Sequence, residues 1–108
     1  MANTFKLKTK KNVGVTTSNV YVVPASTTTV VIGITAANIS GNNINVGIGV
    51  TRASTDDVHL MKDIPIPQGS SLEFMQGNKI VLETTDTLTA RSDVNNSLDV
   101  SLTIMEIT

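Results

Sequence analysis

The sequence contains no cysteine and no tryptophan, one histidine, and three aromatic side chains in total: Phe5, Tyr21 and Phe74. The absence of cysteine excludes disulfides and thiolate metal sites, and it leaves the redox compartment open. So few rings argue against a stacking groove for sugars or single-stranded nucleic acid, since such surfaces normally use aromatic platforms. No segment approaches the roughly 18 apolar residues of a membrane helix, and the start, Met1 to Lys8, lacks the apolar run of a signal peptide. No phosphate loop or dinucleotide fingerprint is present: Gly47 and Gly49 fall in a strand pattern, the wrong context for either. The first 55 residues also lack any acidic side chain while carrying five basic ones; residues 56–108 carry three basic and nine acidic, so the halves are +5 and −6.

What the chain has in abundance is branching at Cβ. It holds 16 Thr, 13 Val and 10 Ile among 108 residues. Branched side chains are restricted in rotamer and suit a pleated sheet better than a helix. The length is that of one domain.

Two segments alternate most clearly. Ile44, Val46, Ile48 and Val50 share one face, with Asn45, Gly47, Gly49 and Thr51 opposite. The glycines leave room for close approach by backbone or a neighbour. Leu98, Val100, Leu102 and Ile104 share another, with Asp99, Ser101 and Thr103 facing out. Elsewhere the chain is punctuated by turn residues. Val20–Val23 ends at Pro24. Val30, Ile32, Ile34 and Ala36 are expected on one face of a strand, and Val31 and Thr35 on the other, so that strand calls for cover on both sides. Ser40 to Asn43 is a tight turn, and residues 30–51 read as a hairpin. Residues 53–57 form a polar loop. Ile64-Pro65-Ile66-Pro67 is an edge segment or crossover closing in a Pro-x-Gly turn, because two prolines cannot serve a central ladder. Leu72–Phe74 begins a strand, with Phe74 read as core, and residues 76–78 turn the chain before Ile80 and Leu82.

Seven or eight short strands without helical periodicity predict an all-β fold, an antiparallel, jelly-roll-like β-sandwich, with a small β-barrel as the alternative. Residues 1–11 are expected to be a basic N-terminal arm or edge strand, and residues 12–108 the sandwich domain. Edge lysines discourage unwanted pairing.

Candidate chemistry is sparse. His59 is predicted on the polar face of a strand near Asp56, Asp57 and Asp63, and reads as an exposed or interface residue. Neither Ser54 nor Ser70 is marked as a nucleophile. The aspartates do not follow the EF-hand spacing, and Glu73, Glu83 and Asp86 fall at strand ends without an aromatic platform for glycoside chemistry. No catalytic, metal or cofactor residue is assigned, and no cofactor is expected. Lys6, Lys8, Lys10 and Lys11 form a positive stripe without arginine or interleaved rings beyond Phe5, which argues against specific nucleic-acid binding.

The charge asymmetry has two explanations. The halves neutralise each other within one domain, or opposite patches meet between subunits. The residues assigned to partner binding are Phe5, Lys6, Leu7, Lys8, Lys10 and Lys11 of the N-terminal segment, with Val31 and Tyr21.

Three stretches carry a resemblance: Met1-Ala2-Asn3-Thr4-Phe5-Lys6-Leu7-Lys8-Thr9-Lys10, Tyr21-Val22-Val23-Pro24, and Asp63-Ile64-Pro65-Ile66-Pro67-Gln68-Gly69-Ser70-Ser71-Leu72. With the ending Leu102 to Thr108, they resemble small virion structural proteins of tailed bacteriophages, of the marine and cyanobacterial type. That resemblance implies a non-enzymatic virion protein, a capsid decoration or cement subunit assembled in the host cytoplasm. Its partners would be other copies of itself, in a trimer or higher ring, and major capsid or neck and tail proteins. The alternatives are a neck or tail-associated protein, or a glycan or host-surface binding module.

Overall fold

The computed structural model describes residues 2–52, 56–74 and 79–108, the side chain of Phe74 excepted. The loop expected at 53–57 lies partly outside these residues, as do Ser54, the turn at 76–78 and the core placement of Phe74. Nine strands run through the described residues: β1 (Asn3–Val13), β2 (Ser18–Val22), β3 (Thr28–Asn38), β4 (Ile44–Thr51), β5 (Val58–Ile66), β6 (Ser71–Phe74), β7 (Ile80–Leu82), β8 (Thr87–Ser92) and β9 (Leu98–Ile107).

Their pairing is nested and antiparallel. β4 pairs with β5, β3 with β6 and β7, β2 with β8, and β1 with β9. Successive pairs fall into alternate sheets, and β3–β9 and β4–β8 contacts complete each sheet. One sheet has the order β1-β9-β3-β6, with β7 continuing the β6 edge along β3; the other has the order β2-β8-β4-β5. This is the jelly-roll arrangement of a β-sandwich, and the sheets do not close into a barrel.

The two most regular alternations supply much of the core. Ile44, Val46, Ile48 and Val50 from β4 face Leu98, Val100, Leu102 and Ile104 from β9, and all eight are buried. β5 is an edge strand, which leaves Pro65 free of a central ladder. Its exit turns at Gly69, where φ is +71°, and Ser70 N–H donates to Pro67 O.

Two local expectations are corrected. β3 and β4 are not a hairpin but lie in opposite sheets. The buried face of each lies on the inner side of its own sheet, so the two strands do not run side by side. The corner is held by Asn38, whose buried amide donates to Asn42 O at 2.7 Å and Ile66 O at 3.0 Å. The second correction concerns the phase of β3. The register slips between Val31 and Gly33, a β-bulge at Ile32. Buried positions therefore run Thr29, Val31, then Ile34, Ala36 and Asn38. The extra residue puts Val31 and Ile34 on the same, inner face and leaves Val30 and Ile32 half-buried outside. Val31, expected to face a partner, is fully enclosed in the core.

The glycines of β4 admit backbone. A Cβ on Gly49 would lie 2.9 Å from Val58 O of the neighbouring β5, where the β4–β5 register slips.

Candidate assembly surface

Residues 3–13 are β1, an outer strand of the five-stranded sheet, in register with β9 up to the Lys10–Val13 bulge. Thr108 N–H donates to Ala2 O at 3.0 Å. Alternation along an antiparallel ladder then turns the backbone groups of even-numbered residues toward β9, and those of Asn3, Phe5, Leu7 and Thr9 toward the open edge.

Side chains alternate as well. Lys6, Lys8 and Lys10 stand opposite Ile104, Leu102 and Val100, on the inner side of the sheet. There Lys6 finds an acidic partner within the chain: its Nζ lies 2.7 Å from Glu106 Oε1. The other carboxylate oxygen accepts from Tyr21 Oη at 2.5 Å, and Thr29 Oγ1 lies 2.8 Å from the same phenol. Glu106, Tyr21 and Thr29 are all buried. Lys6, and less strongly Tyr21, hold the Glu106 carboxyl below the usual carboxylate range. Burial first, then the neighbouring carboxylate, pushes the Tyr21 phenol up to about 12. A neutral phenol therefore gives its one proton to Glu106, and Thr29 donates to the phenol oxygen. The cluster joins β1, β3 and β9 of one sheet to β2 of the other. Lys8 Nζ sits 5.9 Å from the Tyr21 ring centroid. Lys10 and Lys11 border a shallow depression of about 200 Å³ with Thr35, Asp99 and Ser101.

The halves of opposite charge also meet at Arg52, which bonds Glu83 and lies 3.1 Å from Asp86. Both this contact and Lys6–Glu106 join a base of the first half to an acid of the second.

The outer side of β1 carries two large apolar residues between Asn3 and Thr9. Phe5 is 69% exposed and Leu7 67%. Phe5 stands opposite Met105, Met105 opposite Val30, and Val30 opposite Val81, which is 60% exposed. One apolar row thus crosses four strands on the face turned away from the core, with Leu7 and Ile107 beside it.

Of the eight residues assigned to partner binding, Phe5 and Leu7 lie on this row or beside it, and Lys10 and Lys11 are exposed further along β1. Lys6, Lys8 and Tyr21 meet one another around Glu106, and Val31 is interior. The sequence reading missed Val30, Val81 and Met105. For Met105 a signal existed: the outward phase of Asp99, Ser101 and Thr103 continues onto Met105 and Ile107. Val81 likewise falls opposite the face shared by Ile80 and Leu82.

The outer face of the other sheet carries a groove of about 320 Å³ over Gly47 and Gly49, edged by Asp57, His59, Lys62, Asp63 and Arg91. Among the described residues no group of three or more His, Asp or Glu side chains is placed to hold a metal ion. No helix among them is long and apolar enough to cross a membrane.

No protein-family model matches the chain, and no curated protein does. A solved structure does match: a protein from a study of Bacillus endospore appendages, described as forming a novel family of disulfide-linked pili. It is 14% identical, with a TM-score of 0.60 over 99% of this chain and 87% of that one. The likeness is one of fold. This chain has no cysteine with which to form such a linkage.

Proposed function

We propose that this protein is a non-enzymatic structural subunit that acts by assembling with further copies of itself into a larger particle or filament. The observation that carries this reading is the apolar row Phe5–Met105–Val30–Val81, which gains from cover by another surface. The shared fold with a pilus-type appendage protein supports it. Within that reading, the finer assignment is a virion subunit that decorates or cements a capsid, with the major capsid protein as partner. It rests on the resemblance of the stretches Met1 to Lys10, Tyr21 to Pro24, Asp63 to Leu72 and Leu102 to Thr108, and on the use of jelly rolls in capsid proteins. Light scattering and negative-stain imaging of the purified protein over a wide concentration range test the general reading. The expected result is large assemblies; a monomer throughout, absent from every particle of its source, refutes it. Copy number on native particles tests the finer one, with hundreds of copies expected for decoration and a small ring multiple for a neck or tail protein.

The groove over Gly47 and Gly49, edged by charged side chains, favours a second reading, a glycan or host-surface module. Glycan-array binding tests it, and a blank array with and without chelator removes it.

A further inference from the structure

The five-stranded sheet ends in two unlike edges, and they match each other. Among the described residues, β1 at one end pairs with β9 alone, and β6 and β7 at the other pair with β3 alone. β1 is antiparallel to β9, β9 to β3, and β3 to β6 and β7. β1 therefore runs antiparallel to β6 and β7. A second copy in the same orientation would bring its β1 alongside this edge as one more antiparallel strand.

The registers also agree. The row Thr9–Ser101–Thr35–Glu73 crosses the sheet from edge to edge. Thr9 turns its backbone groups to the open side of β1. Asn38 N–H donates to Ser70 O, so alternation turns Ser71 and Glu73 to the open side of β6. If the row continues into the next copy, Glu73 meets Thr9 with both sets of backbone groups facing across the join. The same continuation sets Val81 beside the next Phe5, joining the two apolar rows. Glu73, which is exposed, then stands diagonal to the next Lys11.

The like-with-like alternative is disfavoured. β1 carries four lysines and no acid, so two β1 strands pairing together would oppose lysine to lysine.

The geometry points to edge-to-edge self-assembly: β1 of one copy adds to the β6–β7 edge of the next, extending the five-stranded sheet head to tail. Such an interface uses two different patches and propagates as an open filament unless its rotation closes a ring. The right-handed twist of strands makes the filament helical. This inference rests on the assembly reading above and names its interface.

The lack of native cysteine gives a direct test. The double variant Phe5→Cys/Val81→Cys places both thiols on exposed positions. Within one chain they are three strand spacings apart, about 14 Å, beyond the reach of a disulfide. Mild oxidation should give a ladder of dimers, trimers and higher species on a non-reducing gel, while each single variant stops at dimers or below. In the second arm, Glu73→Lys should weaken assembly, and adding Lys11→Glu should restore it. A double variant that forms no ladder, or Phe5→Cys alone dimerising as fully as the pair, overturns the inference. If unmodified protein still forms large assemblies in that case, the assembly reading stands and only the interface falls; a monomer throughout removes both.

Discussion

Replacing Tyr21 with phenylalanine removes one oxygen from the contact between β1 and β2 while keeping the ring. In the native protein that oxygen donates to Glu106 and accepts from Thr29, whose hydroxyl is fully buried. After the change, the carboxylate keeps Lys6 but loses its phenol, and Thr29 loses its side-chain partner. A hydrogen bond to a charged group contributes about 1.5–3 kcal/mol, and an orphaned buried hydroxyl costs about 1–3 kcal/mol. The two losses share one site and will not add in full, so the expected destabilisation is about 3 kcal/mol. With an unfolding entropy of about 0.23 kcal/mol/K for a chain of 108 residues, the melting temperature should fall by about 13 °C. Calorimetry and urea unfolding measure this directly. The effect should also depend on pH. Glu106 has a folded-state pKa below its unfolded one, so its contribution is present above the ordinary carboxylate range and disappears as pH falls through the depressed value. Because Tyr21 helps to lower that value, the penalty of Tyr21→Phe should shrink in strong acid. A loss under about 1 kcal/mol at neutral pH, or one that persists unchanged in acid, would refute the charged, buried arrangement.

The same phenol is the only tyrosine, so its titration can be followed by ultraviolet absorbance. Ionisation is expected near 12 in the folded protein, and the associated stability, complete below the ordinary phenol value, should be lost as pH rises through that range. Gly49→Ala should destabilise by about 1–3 kcal/mol, since its Cβ meets Val58 O. Gly33→Ala has no neighbour within 4 Å of the new Cβ and should be neutral or stabilising by up to about 1 kcal/mol; comparing their denaturation midpoints checks both. Val31→Thr should cost about 1–3 kcal/mol by burying a hydroxyl, whereas a residue reserved for a partner would leave the unfolding midpoint of the isolated protein unchanged. Thr85 holds φ at +72° in an exposed turn, and Thr85→Asn should raise stability by about 0.5–1 kcal/mol, read as a higher melting temperature.

How much was legible varied with locality. Period-two alternation reports a strand with one buried face, and Ile44–Val50 and Leu98–Ile104 are buried as their pattern implies. The proline pair marked β5 as an edge because the missing N–H is a property of the residue itself. The phase of β3 was not readable: every position from Val30 to Ile34 is apolar or glycine, so nothing in the pattern marks the bulge at Ile32 that reverses which residues face inward. The 30–51 hairpin was misread because a short polar turn is compatible with neighbouring strands or with a corner between sheets. Asn38 chooses the corner only through Ile66 O, a partner 28 residues away.

The sequence by itself determined what depends on residue type and near-neighbour spacing: a sheet protein without thiol chemistry, with two unmistakable core strands and opposite charge in its halves. Tertiary structure decided what depends on which strands become neighbours. Pairing β1 with β9 turned Lys6 inward to Glu106 and turned Phe5 and Leu7 out, because adjacent residues on a strand must face opposite ways once register is set. Pairing β3 with both β9 and β7 then aligned Met105, Val30 and Val81 with Phe5. Residues separated by as much as 100 positions became one apolar row because cross-strand neighbours are set by register and not by sequence distance.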